Sequence, residues 1–246
     1  HKLVQAGGHY ELLTEGSYIL KPCCARREKG FYLRMQGNKE WSPFMPAFYG
    51  IETHTDEKGP VDYIKMENLT FQYKKPFVMD IKIGTQTWDP EITEDKKKRR
   101  LVVDATSTTH SLGMRFGGME RSVGDSQPLT YTKHLATKEV STREATKEYM
   151  KLFLFDGVRY HNELLPFYIE RVEKMSELAA KKEFKMISTS VLFVYDAAAP
   201  MSEGKYQCRF IDFAHTWYPK EEECPFEDGF VVGLASLKTL LEEIQN

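Results

Sequence analysis

One short apolar segment, residues 76–84, carries an acid and a base where two side chains of a strand would share a face. Asp80 and Lys82 are separated in it by a single residue. In an extended strand, positions i and i+2 point to the same side of the sheet. Burying unlike charges on that side is costly unless they meet a ligand or partners. The segment therefore predicts a binding or catalytic site.

A second carboxylate directly follows the apolar, strand-like run 208–211. Asp212 stands at the end of this run, and His215 comes three residues later. A carboxylate at the end of a strand can face a cleft and bind Mg²⁺, which takes few protein carboxylates and fills its shell with phosphate oxygens and water. The alternative is that Asp212 caps the following turn, which is the commoner use of such a residue.

A lysine and a glutamate near the N-terminus complete the set of candidates. Lys21 ends a predicted strand, and Glu28 lies in the first turns of the next predicted helix. The two could pair as a phosphate-steering lysine and its support, or form an ordinary surface ion pair. Transfer of a γ-phosphoryl group needs cations around the phosphates, a carboxylate for Mg²⁺ and a group that positions the acceptor. The chain has a candidate for each.

A basic run at 96–100 lies within a predicted helix, 94–103. On a helix Lys96, Arg99 and Arg100 share one face, and their neighbours Lys97 and Lys98 point elsewhere. Several separated cations suit a ligand crowded with phosphates. A solvated helix face and a nuclear-localisation run are the alternatives. A nucleic-acid surface is not expected, because no aromatic residues interleave the cations and no basic stripe continues elsewhere.

The elements around these residues predict an α+β protein of two lobes. Residues 1–66 form a β-rich lobe, and residues 67–246 form a larger α+β lobe. In the first lobe we predict strands at 18–21, 47–51 and 61–66 and a helix at 26–35. In the second we predict helices at 144–156, 163–184 and 233–245 and a hairpin of 191–195 with 208–211. A small molecule would lie between the lobes, the usual place for such sites.

Composition narrows the class of protein. The chain has 246 residues, 41% hydrophobic and 28% charged, which is typical of a globular protein and excludes disordered and collagen-like classes. No apolar stretch approaches the roughly 20 residues that span a bilayer, so we expect no membrane insertion. A net charge of -2 gives no global attraction to polyanions. The four cysteines contain no C-x-x-C pair, and we expect reduced thiols in a cytoplasmic or nuclear protein.

Together these motifs resemble those of the inositol polyphosphate kinases. Residues 76–84 match the family's P-x-x-x-D-x-K-x-G signature, and residues 211–215 match its I-D-F-A-H motif. Residues 19–22 and 27–32 resemble its lysine strand and R-E-x-x-F-Y helix. The resemblance implies a two-lobed, protein-kinase-like fold with ATP in the interlobe cleft and a small helical inositol-binding insertion at about 90–105. It also implies Mg²⁺ as cofactor and ATP and an inositol polyphosphate as small-molecule substrates, and we expect a monomer.

The resemblance further implies a role for each candidate residue. It makes Asp212 the metal ligand, with catalysis by Lys82, Asp212 and His215. It assigns ATP binding to Lys21, Glu28, Glu67, Leu69, Asp80, Ser190 and Asp212. It assigns inositol phosphate binding to Lys82, Lys96, Arg99, Arg100 and His215. The chain departs from the family where Asn68 replaces an acidic hinge residue, and where Thr189 and Val191 stand in its S-S-L-L element.

Two subfamilies fit the sequence. Residues 106–119 look most like the hexakisphosphate kinases, which phosphorylate an existing phosphate, whereas residues 80–88 look equally like the multikinases, which phosphorylate ring hydroxyls. The trisphosphate 3-kinases fit less well. We expect a hexakisphosphate kinase, with a multikinase as the alternative. A third reading is an inactive module that only binds inositol polyphosphates, against which the joint presence of Lys21, Asp80, Lys82 and Asp212 argues.

Overall fold

The computed structural model describes residues 12–23, 25–56, 59–125, 127–132 and 138–246. The predicted first lobe is therefore described from residue 12 onward. Cys24, predicted to be a reduced thiol, lies outside the described residues. Cys208 and Cys224 are free thiols in the structure.

In its described residues, the first lobe consists of a four-stranded antiparallel sheet, one α-helix and a 3₁₀ turn, Ser42–Phe44. Its strands are β1 (Leu13–Glu15), β2 (Tyr18–Pro22), β3 (Phe48–Asp56) and β4 (Gly59–Glu67), in the order β1-β2-β4-β3. Helix α1 (Arg26–Met35) buries residues at the i, i+3, i+4 and i+7 spacing of one helical face, namely Glu28, Phe31, Tyr32 and Met35. Glu28 is thus the acidic member of an otherwise apolar buried face. It points toward the second lobe, where its carboxylate accepts the backbone N–H of Phe213.

The second lobe is built on a five-stranded antiparallel sheet in the order β10-β9-β5-β6-β7. Its strands are β5 (Pro76–Ile83), β6 (Met114–Arg121), β7 (Leu129–Tyr131), β9 (Ser190–Asp196) and β10 (Tyr206–Ile211). The short strands β8 (Lys185–Met186) and β11 (Thr216–Trp217) pair separately. The helices are α2 (Glu94–Thr106), α3 (Thr108–Leu112), α4 (Arg143–Leu154), α5 (Leu165–Ala180) and α6 (Phe230–Gln245).

The central strand β5 alternates between two environments. One face carries apolar residues of the main hydrophobic core: Phe77, Met79, Ile81 and Ile83. The opposite face carries Asp80 and Lys82 and, at its start, Val78, which packs against Val194 of β9. The predicted shared face for the acid and the base is therefore present.

The two lobes share one core instead of meeting at a polar boundary. The ring of Phe31 in α1 stacks on that of Phe213, with centroids 4.2 Å apart. Trp41 lies edge-on to Phe31 and against Phe210 of β10. The carbonyl oxygen of Pro43 accepts hydrogen bonds from Arg171 and Arg209 of the second lobe. The division at residue 66 stays a prediction, since packing crosses it.

Several predicted boundaries differ from the structure. The helix predicted at 144–156 ends at Leu154, because Phe155 instead forms a bridge with Tyr160. The helix predicted at 163–184 is a 3₁₀ turn, Asn162–Leu164, followed by α5, which ends before the left-handed residue Lys182. Strand β6 was not predicted, because a fully buried strand shows no alternation of apolar and polar residues. Among the described residues, no helix combines the length and apolarity needed to cross a membrane.

A pair of glycines sets how closely α6 approaches the turn before β6. A Cβ atom at Gly233 would overlap the carbonyl oxygen of Gly113, which already accepts the backbone N–H of Gly84 at 2.7 Å. We expect Gly233→Ala to lower the free energy of unfolding by about 1–3 kcal/mol, as overpacking does. Urea denaturation measures the change.

The matched control is Gly30→Ala in α1, where an added Cβ meets nothing within 4 Å. In that helix interior the substitution should stabilise the protein by roughly 0.5–1 kcal/mol. Equal stability of the two variants would contradict the described packing of α6.

Candidate active site

Lys82 lies at the centre of the polar face of the five-stranded sheet. Its cross-strand neighbours are Ser190 on β9 and Arg115 on β6. Side chains directly opposite each other in a sheet share a face. Asp80, two residues earlier, is 1% exposed, and one of its carboxylate oxygens is 3.5 Å from the ammonium nitrogen of Lys82. The predicted pair is therefore formed.

Asp212 bridges the two lobes through its two carboxylate oxygens. Oδ2 accepts a hydrogen bond from Lys82 Nζ at 2.6 Å, and Oδ1 accepts one from Lys21 Nζ at 2.9 Å. Lys21 also donates to Glu28 Oε1 at 2.8 Å, and the same oxygen accepts the backbone N–H of Phe213 at 3.2 Å. The predicted Lys21–Glu28 pair is thus no surface ion pair, since Glu28 is buried.

The charges in this cluster stabilise one another against the cost of burial. Burial alone would raise the pKa of the Asp212 carboxyl, but Lys82 and Lys21 outweigh it and hold that pKa well below its usual range. Burial alone would lower the pKa of Lys82, and Asp212 followed by Asp80 raises it instead. Asp212 and Glu28 likewise raise the pKa of Lys21. All three groups are charged at neutral pH.

The backbone at Asp212 adopts the left-handed region, with φ of +65°. Such a conformation in a residue other than glycine costs on the order of 1 kcal/mol, although aspartate tolerates it better than most. The carbonyl oxygen of Asp212 accepts a hydrogen bond from the hydroxyl of Thr189 at 2.9 Å. Ser188, just before Thr189, is left-handed as well, with φ of +57°. Strained backbone thus lies just before β9 and just after β10, beside the carboxylate of Asp212.

Three buried polar atoms on this face make no hydrogen bond within the part of the chain that the structure describes: Asp80 Oδ1, Ser190 Oγ and Arg115 Nε. Such atoms are rare in proteins, where strain, a ligand, an ion or a water accounts for them. Gly117 gives Asp80 its space, because a Cβ there would lie 2.6 Å from Asp80 Oδ1. A carboxylate acceptor, a hydroxyl and an N–H donor together suit a ligand that offers hydroxyl groups and phosphate oxygens.

The residues fit a metal such as Mg²⁺, for which one carboxylate suffices. Asp212 is 32% exposed on its side chain, and Ser190 on the neighbouring strand has a free hydroxyl oxygen. Within the described ranges no group of three or more His, Cys, Asp or Glu residues could hold a metal ion on its own. A phosphate-bound Mg²⁺ is therefore better suited to this site than a fully protein-ligated ion.

The predicted hinge residues, Glu67 and Leu69, lie at the end of β4 and just after it. Glu67 ends β4, and its carboxylate accepts the backbone N–H of Ala47 at 3.1 Å. Leu69 packs against the Val78–Val194 pair. Asn68, which replaces the family's acidic residue, caps its own turn by accepting hydrogen bonds from the N–H and hydroxyl of Thr70. The nucleotide-binding roles of Glu67 and Leu69 stay predictions.

Helix α2 is oriented differently from the predicted cationic face. Its buried residue is Asp104, whose carboxylate accepts the N–H and hydroxyl of Thr87. This anchor turns Lys97 and Arg100, which lie seven and four residues earlier, toward the protein, and leaves Lys96 and Arg99 exposed. The ammonium of Lys97 sits 4.2 Å from the ring centre of Trp88. The predicted trio is therefore divided, with only Arg100 on the inward side.

Arg115 is a site residue that the sequence reasoning missed. Its side chain is 3% exposed, and burial followed by the nearby charge of Arg100 lowers its pKa. An arginine inside the apolar run 114–119 is the same signal that singled out Lys82, and it could have been found that way. Together, Lys82, Arg100 and Arg115 bring three cations to one side of the carboxylate cluster.

His215 is held by a second missed residue, Asp89. The imidazole Nδ1 lies 2.9 Å from Asp89 Oδ2, and the same oxygen accepts the indole N–H of Trp217 at 3.2 Å. Burial alone would raise the pKa of Asp89, but the bonds from His215, the Glu91 N–H and Trp217 lower it. The histidine side chain is 44% exposed, so its ring is available to a ligand.

Comparisons with known proteins agree with the geometry. The family model described as inositol polyphosphate kinase matches residues 63–242. The chain belongs to the inositol polyphosphate kinase family. It is 29% identical over 202 residues to inositol hexakisphosphate kinase 3 of Mus musculus, covering 74% of this chain and 51% of that protein. It is 26% identical over 239 residues to the inositol polyphosphate multikinase of Schizosaccharomyces pombe, covering 88% of each.

Solved structures share the fold. The crystal structure of the inositol phosphate multikinase Ipk2 of S. cerevisiae in complex with ADP and Mn²⁺ has a TM-score of 0.78 at 22% identity, covering 94% of this chain and 100% of that one. A second inositol phosphate multikinase structure has a TM-score of 0.70 at 23% identity, covering 88% and 99%. The predicted two-lobed α+β fold is confirmed. The chain spans about half the length of the hexakisphosphate kinases it matches.

The ionised state of Asp212 generates a prediction about pH. Because its pKa is lower folded than unfolded, its contribution to stability is complete above the unfolded pKa of about 3.9 and is lost as pH falls below it. Wild type should lose stability relative to Asp212→Asn below about pH 4, by up to roughly 1.4 kcal/mol per pH unit. Urea unfolding of both proteins between pH 3 and 7 measures the difference. A constant difference across this range would mean that Asp212 is not held between the two lysines.

Proposed function

We propose that this protein is an ATP-dependent kinase of inositol polyphosphates. The observation that carries the proposal is the carboxylate of Asp212, held between Lys21 of one lobe and Lys82 of the other. Phosphoryl transfer depends on positioning and on stabilising charge, and this cluster supplies both without a covalent nucleophile. The multikinase Ipk2 was solved in complex with ADP and Mn²⁺, which supports binding of a nucleotide and a divalent metal by this protein as well.

Each residue of the cluster has a task that its surroundings suit. The ammonium groups of Lys21 and Lys82 bind phosphate oxygens as point charges. The buried carboxylate of Asp80 keeps one oxygen for ribose hydroxyl groups. Asp212, with Ser190 beside it, would hold Mg²⁺, which when bound neutralises phosphate charge. Glu28 keeps Lys21 in place from α1, so that this cation stays extended toward the cleft.

For the substrate, we propose inositol hexakisphosphate first and the lower inositol phosphates of a multikinase second. The hexakisphosphate kinase of Mus musculus, at 29% identity, supports the first choice. The multikinase of Schizosaccharomyces pombe, matched over 88% of both chains, supports the second. Much of the segment 106–119, which suggested the first choice, is buried in α3 and β6, so it bears on packing as well as on substrate.

The deciding experiment incubates the protein with ATP, Mg²⁺ and one inositol phosphate at a time, from tris- to hexakisphosphate. Anion-exchange chromatography then resolves the products. A product more anionic than hexakisphosphate would establish pyrophosphate synthesis, and turnover of the lower substrates alone would establish a multikinase. The control is Asp212→Ala, which should lower kcat by a factor on the order of a thousand while leaving much of the inositol phosphate affinity. Binding without turnover in wild type would leave only the binding-module reading, and full activity of the variant would refute the role of Asp212.

The cations of α2 generate a prediction about substrate affinity. We expect Lys96, Arg99 and Arg100 together to bind the inositol phosphate, with Arg100 dominant because it alone of the three faces inward beside Arg115. Arg100→Ala should raise KM for the inositol substrate about tenfold or more, the magnitude of a lost charged hydrogen bond, and change KM for ATP little. The double variant of Lys96 and Arg99 should have a smaller effect.

The matched control on the same helix is Lys98→Ala, which removes an exposed cation that is assigned no ligand. Steady-state kinetics with each substrate varied in turn measures both KM values. If Arg100→Ala shifts the two KM values equally, or no more than Lys98→Ala does, α2 is not the substrate-binding element.

A further inference from the structure

Asp89 uses its two carboxylate oxygens for two different purposes. Oδ1 accepts the backbone N–H of Glu91 at 2.8 Å and so caps the turn in its own loop. Oδ2 faces away from that turn and meets His215 Nδ1 at 2.9 Å and the indole N–H of Trp217 at 3.2 Å. A loop cap requires only the first oxygen. The second is committed to His215 and its neighbour on β11.

The position of Oδ2 is fixed from several directions. Asp89 is buried, with 4% of its side chain exposed. The guanidinium of Arg27 from α1 stacks over the Trp217 ring at 3.9 Å and pairs with both Glu91 and Glu222. The turn that holds Asp89 and the indole that donates to it are therefore clamped by the same arginine. A carboxylate held in this way can impose an orientation on the imidazole instead of following it.

We propose that Asp89 is a positioning residue for His215, which it orients so that Nε2 is the nitrogen presented to the inositol phosphate. This inference rests on the proposed kinase function. An acceptor at Nδ1 selects the tautomer with its proton on Nδ1 and leaves Nε2 for the ligand. Nε2 makes no hydrogen bond to any residue in the described part of the chain. The neutral ring can accept from a hydroxyl at Nε2, and the protonated ring can donate to a phosphate.

Asp89→Asn separates positioning from loop structure. With its oxygen on the Glu91 N–H, the asparagine retains the turn. Its amide NH₂ then faces His215 and the Trp217 indole, so it can donate to Nδ1 but no longer accepts from either ring. The imidazole proton would move to Nε2, which reverses the tautomer. We expect kcat to fall about 10- to 100-fold, the range for carboxylates that orient functional histidines. Glu223→Gln is the control, an acid-to-amide change at an exposed carboxylate outside the Arg27 clamp, and should retain nearly wild-type kcat.

Two readouts distinguish positioning from a merely structural effect. The ¹⁵N spectrum of the His215 ring should show protonated Nδ1 in wild type and protonated Nε2 in Asp89→Asn. In the His215→Ala background, adding Asp89→Asn should cost little further activity, because the residue acts through the histidine. An equal loss in both backgrounds, or a wild-type ring protonated on Nε2 alone, would overturn the proposal. The second result requires no variant to fold.

The proposed function can fail separately. If wild type turns over no inositol phosphate, titration with inositol hexakisphosphate decides the inference through the His215 ¹⁵N signals. A shift of the Nε2 signal in wild type that is at least severalfold weaker in Asp89→Asn at equal ligand concentration would support positioning for binding. An unshifted Nε2 signal in wild type at saturating ligand would overturn it.

Discussion

The carboxylate of Asp212 is the constraint on which the rest of the site depends. Two ammonium groups from different sheets, Lys21 and Lys82, donate to its two oxygens. Without a carboxylate partner, neither lysine could be buried to this extent, because an unpaired buried charge costs several kcal/mol. The next residue, Phe213, stacks on Phe31 of α1 in the shared core. Phe213 thus joins the lobes by packing, and Asp212 beside it sets the charge cluster between them.

The residues around Asp212 carry several features that lower the stability of the fold. Asp212 and Ser188 are held in left-handed backbone, and Asp80 and Ser190 keep buried polar atoms without a hydrogen bond. Each is a cost that packing elsewhere must offset. The aromatic contacts of Phe31 with Trp41, Phe184 and Phe213 lie beside these residues and supply such packing. A site rigid enough to hold these groups in place suits the proposed phosphoryl transfer, because it is preorganised for charge that develops on the phosphate.

The sequence predicts best where a residue's neighbours are local. The Asp80–Lys82 face follows from strand geometry, and α1 was located at its observed residues, 26–35. The orientation of α2 could not be predicted, because its buried anchor is Asp104, a polar residue whose partner Thr87 lies seventeen positions earlier. A charged residue counts as solvent-facing in any pattern of apolar spacing. Asp89 was missed for a similar reason, since only folding brings it to His215 and Trp217.

The cations of α2 lie on one closed excursion of the chain. The chain leaves the sheet at Gly84 and returns at β6, and the N–H of Gly84 donates to the carbonyl oxygen of Gly113 at 2.7 Å, which closes the excursion at its base. Asp89, Lys97 and Arg100 all lie on it, whereas Lys21 and Lys82 lie on the two sheets and Asp212 directly follows β10. The α2 cations proposed to bind the inositol phosphate can therefore vary without disturbing Lys21 and Lys82. Because the excursion is pinned at its base and by Asp104 to Thr87, changes along α2 should alter substrate choice while leaving the phosphoryl-transfer cluster intact.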